Sequence, residues 1–420
     1  MSESDRLNKI LEREAPAVAR CLSPLGRAAA FPQGIPYQAS SARGTEINAT
    51  IGQMTDGHGC ALPLSVMESA VSDLDTAMTF LYAPVEGHRS VREAWRDREA
   101  RLAGDLALPV ALPIAAHGLT HGLSLLANLF ADPDTTLIVP SPFWGNYRLI
   151  FTMHTGVKVQ TFDFFAEDGF NIDGLADTLA QVQGKAIVVL NLPGNPTGYA
   201  LTPEEAERIT DVLAAHPKPM VVIVDDAYQG FVYEDSALKE SEFWLLASRL
   251  DPEKHAVFKV DGATKELLFF SSRLGFVTHP YTSEGAEEAI LSKLKYLIRG
   301  TVGSPPGPSQ ALVLQALQDP QLEVAVQARF QVMRDRYLAL KAAFAEVRSD
   351  RLLPYPFNAA FFMLLRLEGL NSDVARRRLI DEMSVGTIAF ADPNALRIAH
   401  CSVDVADIPE LVDRIVRTLG

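Results

Sequence analysis

Short apolar runs alternate with stretches of mixed polarity through the middle of the chain. Residues 136–140 (TLIVP), 186–190 (AIVVL) and 220–224 (MVVIV) are apolar nearly throughout. A strand with one wet face alternates apolar and polar residues. A continuous β-branched run belongs to a strand covered on both faces, as in parallel sheets. Residues 256–260 (AVFKV) read as a further strand. Between these runs the apolar spacing turns helical. Thr202-Pro203-Glu204-Glu205 predicts a helix start: threonine as N-cap, proline at the first position, then two carboxylates in the first turn. Strands alternating with helices predict a mostly parallel sheet covered by helices on both faces, the α/β class.

From about residue 320 the rhythm changes. Residues 322–347 predict one long helix, and residues 361–367 (FFMLLRL) and 395–399 (ALRIA) predict strands. A second, smaller α/β domain is therefore expected. The division expected is 60–325 for the large domain, with 1–59 and 326–420 forming the small domain and an N-terminal arm. Residues 287–298 predict a helix, and 300–308 (GTVGSPPGP) is the most loop-like stretch.

Composition narrows the functions that remain. With 420 residues and 48% hydrophobic content, the chain can bury a large core. Its net charge of −14, from 52 acidic and 38 basic residues, disfavours nucleic acid as a partner. Cys21, Cys60 and Cys401 lie far apart and form no C-x-x-C pair, so neither a disulfide framework nor a metal site is expected. No apolar run is long enough to span a bilayer, and residues 1–22 lack the apolar centre of a secretory signal. The expectation is a soluble, cytoplasmic protein with no membrane partner.

In open α/β sheets, ligands gather at the carboxyl ends of the strands. After AIVVL comes Asn191-Leu192-Pro193-Gly194-Asn195-Pro196-Thr197-Gly198. After MVVIV comes Asp225-Asp226-Ala227-Tyr228. After AVFKV comes Asp261-Gly262-Ala263-Thr264-Lys265, then Arg273. Three successive strand ends rich in Asn, Asp, Tyr, Lys and Arg predict one site.

The ordered set N-P-T-G, D-x-A-Y, T-K and R-x-G resembles the class I and II aminotransferases, in the aspartate-aminotransferase-like branch of the fold type I pyridoxal-phosphate enzymes. The resemblance runs from about Asn48 to Arg397. It implies that large domain, that small domain and pyridoxal 5'-phosphate as cofactor. Lys265 would hold the cofactor as a Schiff base; a lysine serves this way only when desolvated or set near other cations. Asp225 would pair with the protonated pyridine nitrogen and keep the ring an electron acceptor. Tyr228 and Asn195 would donate to the ring's phenolic oxygen. Trp144, in Phe143-Trp144-Gly145-Asn146-Tyr147, would stack on the ring.

Gly118, Leu119 and Thr120 resemble the family's phosphate turn at a helix N-terminus, with Arg273 as the phosphate arginine. One position departs from the pattern. The family has Ser or Thr three residues before the lysine, and this chain has Gly262. Tyr82, in Tyr82-Ala83-Pro84-Val85-Glu86-Gly87, matches a tyrosine that reaches the phosphate of the neighbouring subunit, which implies a homodimer with shared sites. Gly52, closing Asn48-Ala49-Thr50-Ile51-Gly52, matches a segment lining the substrate pocket.

Arg397 lies between apolar residues in ALRIA, a costly place for a cation unless it meets an anion. The resemblance assigns it the substrate α-carboxylate, with Asn195 helping. Arg299, six residues before the pair Pro305-Pro306, matches the arginine that reads a distal carboxylate from the partner subunit. The activity implied is ping-pong transfer of an amino group between an α-amino acid, including aspartate or glutamate and extending to aromatic ones, and a 2-oxo acid. A lyase on the same fold is the enzymatic alternative. A ligand-sensing regulator would need a DNA-binding domain ahead of residue 48, for which the sequence leaves no span.

Overall fold

The computed structural model describes residues 2–22, 24–30, 34–153, 155–167 and 169–420. Its large sheet has seven strands: β1 (Ile114–Ala116), β2 (Thr135–Ser141), β3 (Lys158–Asp163), β4 (Lys185–Leu190), β5 (Met220–Asp225), β6 (His255–Gly262) and β7 (Gly275–Thr278). Their order across the sheet is β1-β7-β6-β5-β4-β2-β3. Strands β6, β5, β4, β2 and β3 pair in parallel. Strand β7 runs antiparallel between β6 and β1.

The continuous apolar runs do what their composition requires. Along β4, Ile187 and Val189 belong to one buried cluster, and Ala186, Val188 and Leu190 to another. Along β5, Val221 and Ile223 go one way while Met220, Val222 and Val224 go the other. The sheet therefore has two dry faces, each such side chain contributing on the order of 2 kcal/mol. The helix Pro203–Ala214 starts as its sequence predicts. The Thr202 hydroxyl accepts from the Glu205 N–H, and the Glu205 carboxylate accepts from the Thr202 N–H.

A second sheet comprises β8 (Leu352–Pro354), β9 (Met363–Leu367), β10 (Ile388–Phe390) and β11 (Ala395–Ile398), ordered β8-β9-β11-β10 and antiparallel throughout. The N-terminal segment joins this side. Ile47–Asn48 pairs in parallel with Val385–Gly386, and the Gln38 amide exchanges two hydrogen bonds with the Ala389 backbone. The long helix Leu322–Ala345 closes two residues before the expected end.

Two expectations change. The helix Glu284–Thr301 runs into the stretch read as loop, and the helix Gly307–Gln318 starts within it. Proline is tolerated in a first helical turn, so Pro308 opens that helix rather than blocking it. The strand expected from residue 361 starts at Met363. Phe361 and Phe362 instead meet the Tyr228 ring edge-on, at centroid distances of 5.2 and 5.8 Å.

The two sheets are stitched together beside the N-P-T-G turn. The Gly198 carbonyl accepts from the backbone N–H groups of Asn358 and Ala359, both at 2.9 Å. The Asn358 side chain exchanges two hydrogen bonds with the Ala200 backbone. A Cβ at Gly198 would lie 1.9 Å from the Phe362 carbonyl oxygen. No described helix is long and apolar enough to cross a membrane.

Candidate active site

The carboxyl ends of β4, β5 and β6 open on a cleft of about 1360 Å³. Its walls include Gly52, Leu119, Thr120, Trp144, Asn195, Asp225, Tyr228, Lys265, Arg273 and Arg397. Residues predicted from stretches up to 345 positions apart (from Gly52 to Arg397) thus share one cavity. Gly118 is not part of the wall but is next in sequence to Leu119, which is. Tyr82 and Arg299 do not line it: Tyr82 is 98% exposed, and Arg299 sits exposed in the last turn of the helix Glu284–Thr301.

Register explains the convergence at the strand ends. Leu190 pairs with Val224, so the turns after β4 and β5 leave the sheet side by side. Asn191 bridges them: its amide donates to the Asp225 carbonyl at 2.7 Å, and its carbonyl accepts from the Asn195 N–H at 2.9 Å. Asp225 is buried, and its Oδ2 accepts from the Tyr147 hydroxyl at 2.5 Å. Its Oδ1 has no hydrogen-bond partner among the described residues. Burial pushes this carboxyl up to about 6, against the lowering effect of the Tyr147 hydrogen bond. A buried carboxylate in that state is suited to a cationic partner.

Lys265 Nζ lies 5.3 Å from the centre of the Tyr228 ring. Burial pushes its ammonium below the ordinary lysine range; Asp225 opposes the shift and Arg273 adds to it. The shift favours the neutral amine, which is the form that attacks a carbonyl. Tyr228 is itself buried, with the Asn195 side chain at its hydroxyl.

The end of the cleft expected to take a phosphate is built on glycines. The helix Leu119–Phe130 starts at Gly118, φ 80°, without a side-chain cap, so its first N–H groups are free to meet an anion. A Cβ at Gly118 would lie 2.5 Å from the Arg273 guanidinium. The cation therefore rests directly on the helix start. Gly262, φ 154°, pairs with Gly275, and a Cβ there would meet Gly275 Cα and the Leu274 carbonyl oxygen at 2.6 Å. A serine or threonine does not fit at position 262. Two residues on, the Thr264 hydroxyl is buried, lines the cleft and has no partner among the described residues. The sequence signal for it was plain in retrospect: a hydroxyl one residue from the lysine, beside a missing one.

At the other end, Arg397 is 2% exposed. One Nη donates to Asn195 Oδ1 at 2.9 Å and the other to the Thr50 carbonyl at 2.6 Å. The guanidinium lies 4.3 Å over the Phe362 ring, and its Nε is without a partner among the described residues. No carboxylate pairs with it among the described residues, and burial pushes it down to about 10. Tyr147, Thr264, Phe362 and Thr50 were given no role from sequence, although all four fall inside the quoted segments.

These features fit pyridoxal phosphate: a glycine cradle with an arginine for the phosphate, a buried carboxylate with a free oxygen, a desolvated lysine, and a paired Tyr and Asn. Comparison with known proteins agrees. The family "Aminotransferase class I and II" matches residues 45–415. A probable aspartate/prephenate aminotransferase of Rickettsia felis is 24% identical over 85% of this chain and 86% of its own length. A tyrosine aminotransferase of Klebsiella pneumoniae is 25% identical over 72% of this chain and 77% of its own. The fold is that of an aminotransferase from Anaerococcus prevotii, with a TM-score of 0.82, 22% identity and coverage of 95% and 99% of the two chains. The chain belongs to the class I and II aminotransferases, and its chemistry is pyridoxal-phosphate-dependent transamination of amino acids.

Proposed function

We propose that Lys265, Asp225 and Tyr228 are the catalytic residues, and that the substrates are dicarboxylic and aromatic amino acids with their 2-oxo acids. The observation that carries this reading is Arg397. A buried guanidinium with no carboxylate partner among the described residues, in the wall that also holds Lys265, is suited to a substrate α-carboxylate.

Gly118, Leu119, Thr120, Thr264 and Arg273 would hold the phosphate, Trp144 the ring face, Asp225 the ring nitrogen, and Tyr228 with Asn195 the phenolic oxygen. Bound there, pyridoxal phosphate supplies an electron sink for the pair left on the substrate α-carbon and a carrier for the amino group. Lys265 Nζ would act as the general base that takes the substrate's α-carbon proton and as the general acid that returns it during the same half-reaction. Arg397 and Asn195 fix the carboxylate, so the α-hydrogen faces Lys265. The apolar surfaces of Phe362 and Trp144 keep water from the charges.

The second carboxylate is assigned to Arg299 of a partner subunit, and the partner's phosphate contact to Tyr82. Both are exposed on this chain and lie outside its own cleft. Phe80 and Leu81 beside Tyr82 are also exposed, which supports a homodimer covering that face. The division at 60–325 against 1–59 and 326–420 is supported by the pairing of Ile47–Asn48 with Val385–Gly386. The free thiols Cys60 and Cys401 suit a reducing cytoplasm.

The test is a panel of amino donors in single turnover, with 2-oxoglutarate added only after the first 2-oxo acid has been counted. Aspartate, glutamate and aromatic donors should each release one 2-oxo acid per site without ammonia; ammonia release would mean a lyase. Arg299→Leu should cost about a hundredfold in kcat/KM with aspartate and spare phenylalanine, as expected for losing a bidentate contact to a carboxylate. Equal losses on both donors would remove the dicarboxylate assignment.

A further inference from the structure

On the side of β5 and β6 away from the cofactor residues, six charged side chains are buried together. Arg98, Glu99, Asp226, Lys259, Asp261 and Glu266 are each at most 4% exposed. Arg98 and Glu99 lie on the helix Arg89–Ala103, Lys259 and Asp261 on β6, and Asp226 and Glu266 just past the ends of β5 and β6. Such a group is expensive to assemble, and hydrophobic residues of similar volume would commonly be as stable. Its placement therefore asks for a reason other than stability.

The contacts form a continuous path. Glu266, next in sequence to Lys265, accepts from Arg98 at 2.6 Å. The same Arg98 nitrogen donates to Glu99 at 2.9 Å, and Glu99 pairs with Lys259. Lys259 pairs with Asp261 at 3.0 Å and with Asp226 at 3.2 Å, and donates to Gln229 at 2.8 Å. Asp226 is next in sequence to Asp225. Trp95 Nε1 donates to Asp261 at 3.0 Å, and the Arg98 guanidinium lies 5.4 Å over the same indole. The path begins one residue from the proposed cofactor lysine and ends one residue from the proposed ring-nitrogen carboxylate.

We propose that Arg98 and Lys259 are positioning residues for transamination: through Glu266 and Asp226 they hold Lys265 and Asp225 at a fixed separation across the strand ends. This rests on the roles assigned above to Lys265 and Asp225. Lys265 sits on a single helical turn, Ala263–Glu266, bounded by Gly262 with its positive φ. A turn so short has little stiffness of its own. Glu266 supplies the anchor at its far end, and a shift of about 1 Å at a proton-transferring amine is enough to slow turnover strongly. With Glu242 also buried near Asp226, five acids face two bases. Burial and neighbouring carboxylates push Glu266 and Glu242 upward, and Asp261 up to about 7.

The test compares Arg98→Met/Glu266→Leu with Arg98→Lys. The double variant removes both partners, so no charge is stranded and folding should survive. Its kcat per cofactor-loaded site should fall about tenfold, with KM for the amino donor within about twofold of wild type. In the cofactor-free chain, the pH midpoint for labelling of Lys265 by a small amine-reactive reagent, read by mass spectrometry, should move by about 0.5 or more on the pH scale. Arg98→Lys, which keeps a bridging cation, should recover most of both. If the double variant melts like wild type, turns over like wild type and labels at the wild-type midpoint, the cluster only fills space and the proposal is overturned. Should the double variant fail to fold, Glu266→Gln, which keeps the shape and weakens the ion pair, takes its place: a fall in kcat with a shifted midpoint supports the proposal, and a loss in melting temperature alone overturns it. None of these outcomes depends on whether Lys265→Ala is inactive, which tests the underlying assignment separately.

Discussion

The Tyr147 hydroxyl donates to Asp225 Oδ2 at 2.5 Å, and the pair is buried together at the end of β5. This hydrogen bond favours the ionised carboxylate, while burial disfavours it, and burial wins: Asp225 stands at about 6 against its ordinary 3.8. In the cofactor-free chain the folded state therefore binds this proton more tightly than the unfolded state. The resulting penalty is absent below the unfolded value and grows as pH rises through the folded one. Across that window Asp225→Asn should gain about 3 kcal/mol of stability relative to wild type, the free-energy equivalent of so raised a carboxyl. Tyr147→Phe should lose stability at neutral pH, because the carboxylate forfeits its donor. Denaturant titrations at the two ends of the window check both; a wild-type-to-Asn difference that does not change with pH would sink the idea.

Lys265→Ala should leave a folded protein that still binds pyridoxal phosphate but turns over at least about a thousandfold more slowly, having lost both the covalent anchor and the proton carrier. Borohydride treatment should no longer fix cofactor to the chain. Lys259 cannot substitute, since it is buried in contacts with Glu99, Asp226 and Asp261. A borohydride-fixed adduct in the Ala variant would point to a different lysine.

Tyr82→Phe should weaken cofactor retention by about tenfold, the scale of one hydrogen bond to a charged group. Alone it and Lys265→Ala should each be poorly active. Mixed, dissociated and reassembled, they should regain activity, because a hybrid dimer contains one site with both residues intact. Chains that remain monomeric at micromolar concentration with full activity would contradict the shared site.

Thr264→Val tests how the chain manages with Gly262. The valine keeps the shape and removes the hydroxyl, so cofactor affinity should drop about fivefold to tenfold while kcat at saturating cofactor holds. Gly262→Ser, the substitution that would restore the family pattern, should instead destabilise the fold, because its Cβ collides with Gly275 and Leu274. An active, stable Gly262→Ser variant would show that the backbone there yields.

Strands β4 and β5 were legible because each is covered on both faces and written almost without polar residues, and β2 and β6 because each holds an apolar stretch, Leu137–Pro140 and Ala256–Phe258. Strand β3 was not: it forms the sheet edge, and Lys158, Thr161 and Asp163 are exposed. Strands β1 and β7 have three and four residues, too few to establish a period. The gathering of Asn195, Asp225, Tyr228 and Lys265 in one cleft was legible because each comes within a few residues of the end of β4, β5 or β6. Arg98 and Glu99 were not, since the helix Arg89–Ala103 (RSVREAWRDREARLA) has the charge density of a solvent face. Only folding reveals that Arg92, Arg98 and Glu99 are buried. Tyr82 and Arg299 were found by resemblance, and nothing in a single chain brings them to the cleft.

The stitching of Gly198 to residues 358–362 has a consequence for recombining this protein with its relatives. Asn195 lies three residues before Gly198, and Arg397 rests on Phe362 while bonding Asn195. The proposed substrate carboxylate site is therefore assembled on a weld, and its halves cannot be exchanged independently. A chimera that took its C-terminal third from another aminotransferase would keep Gly198 and gain the other parent's arginine, but would lose the backbone of residues 358–362 that Gly198 abuts. Crossovers that keep 194–200 and 355–362 from the same parent preserve the joint.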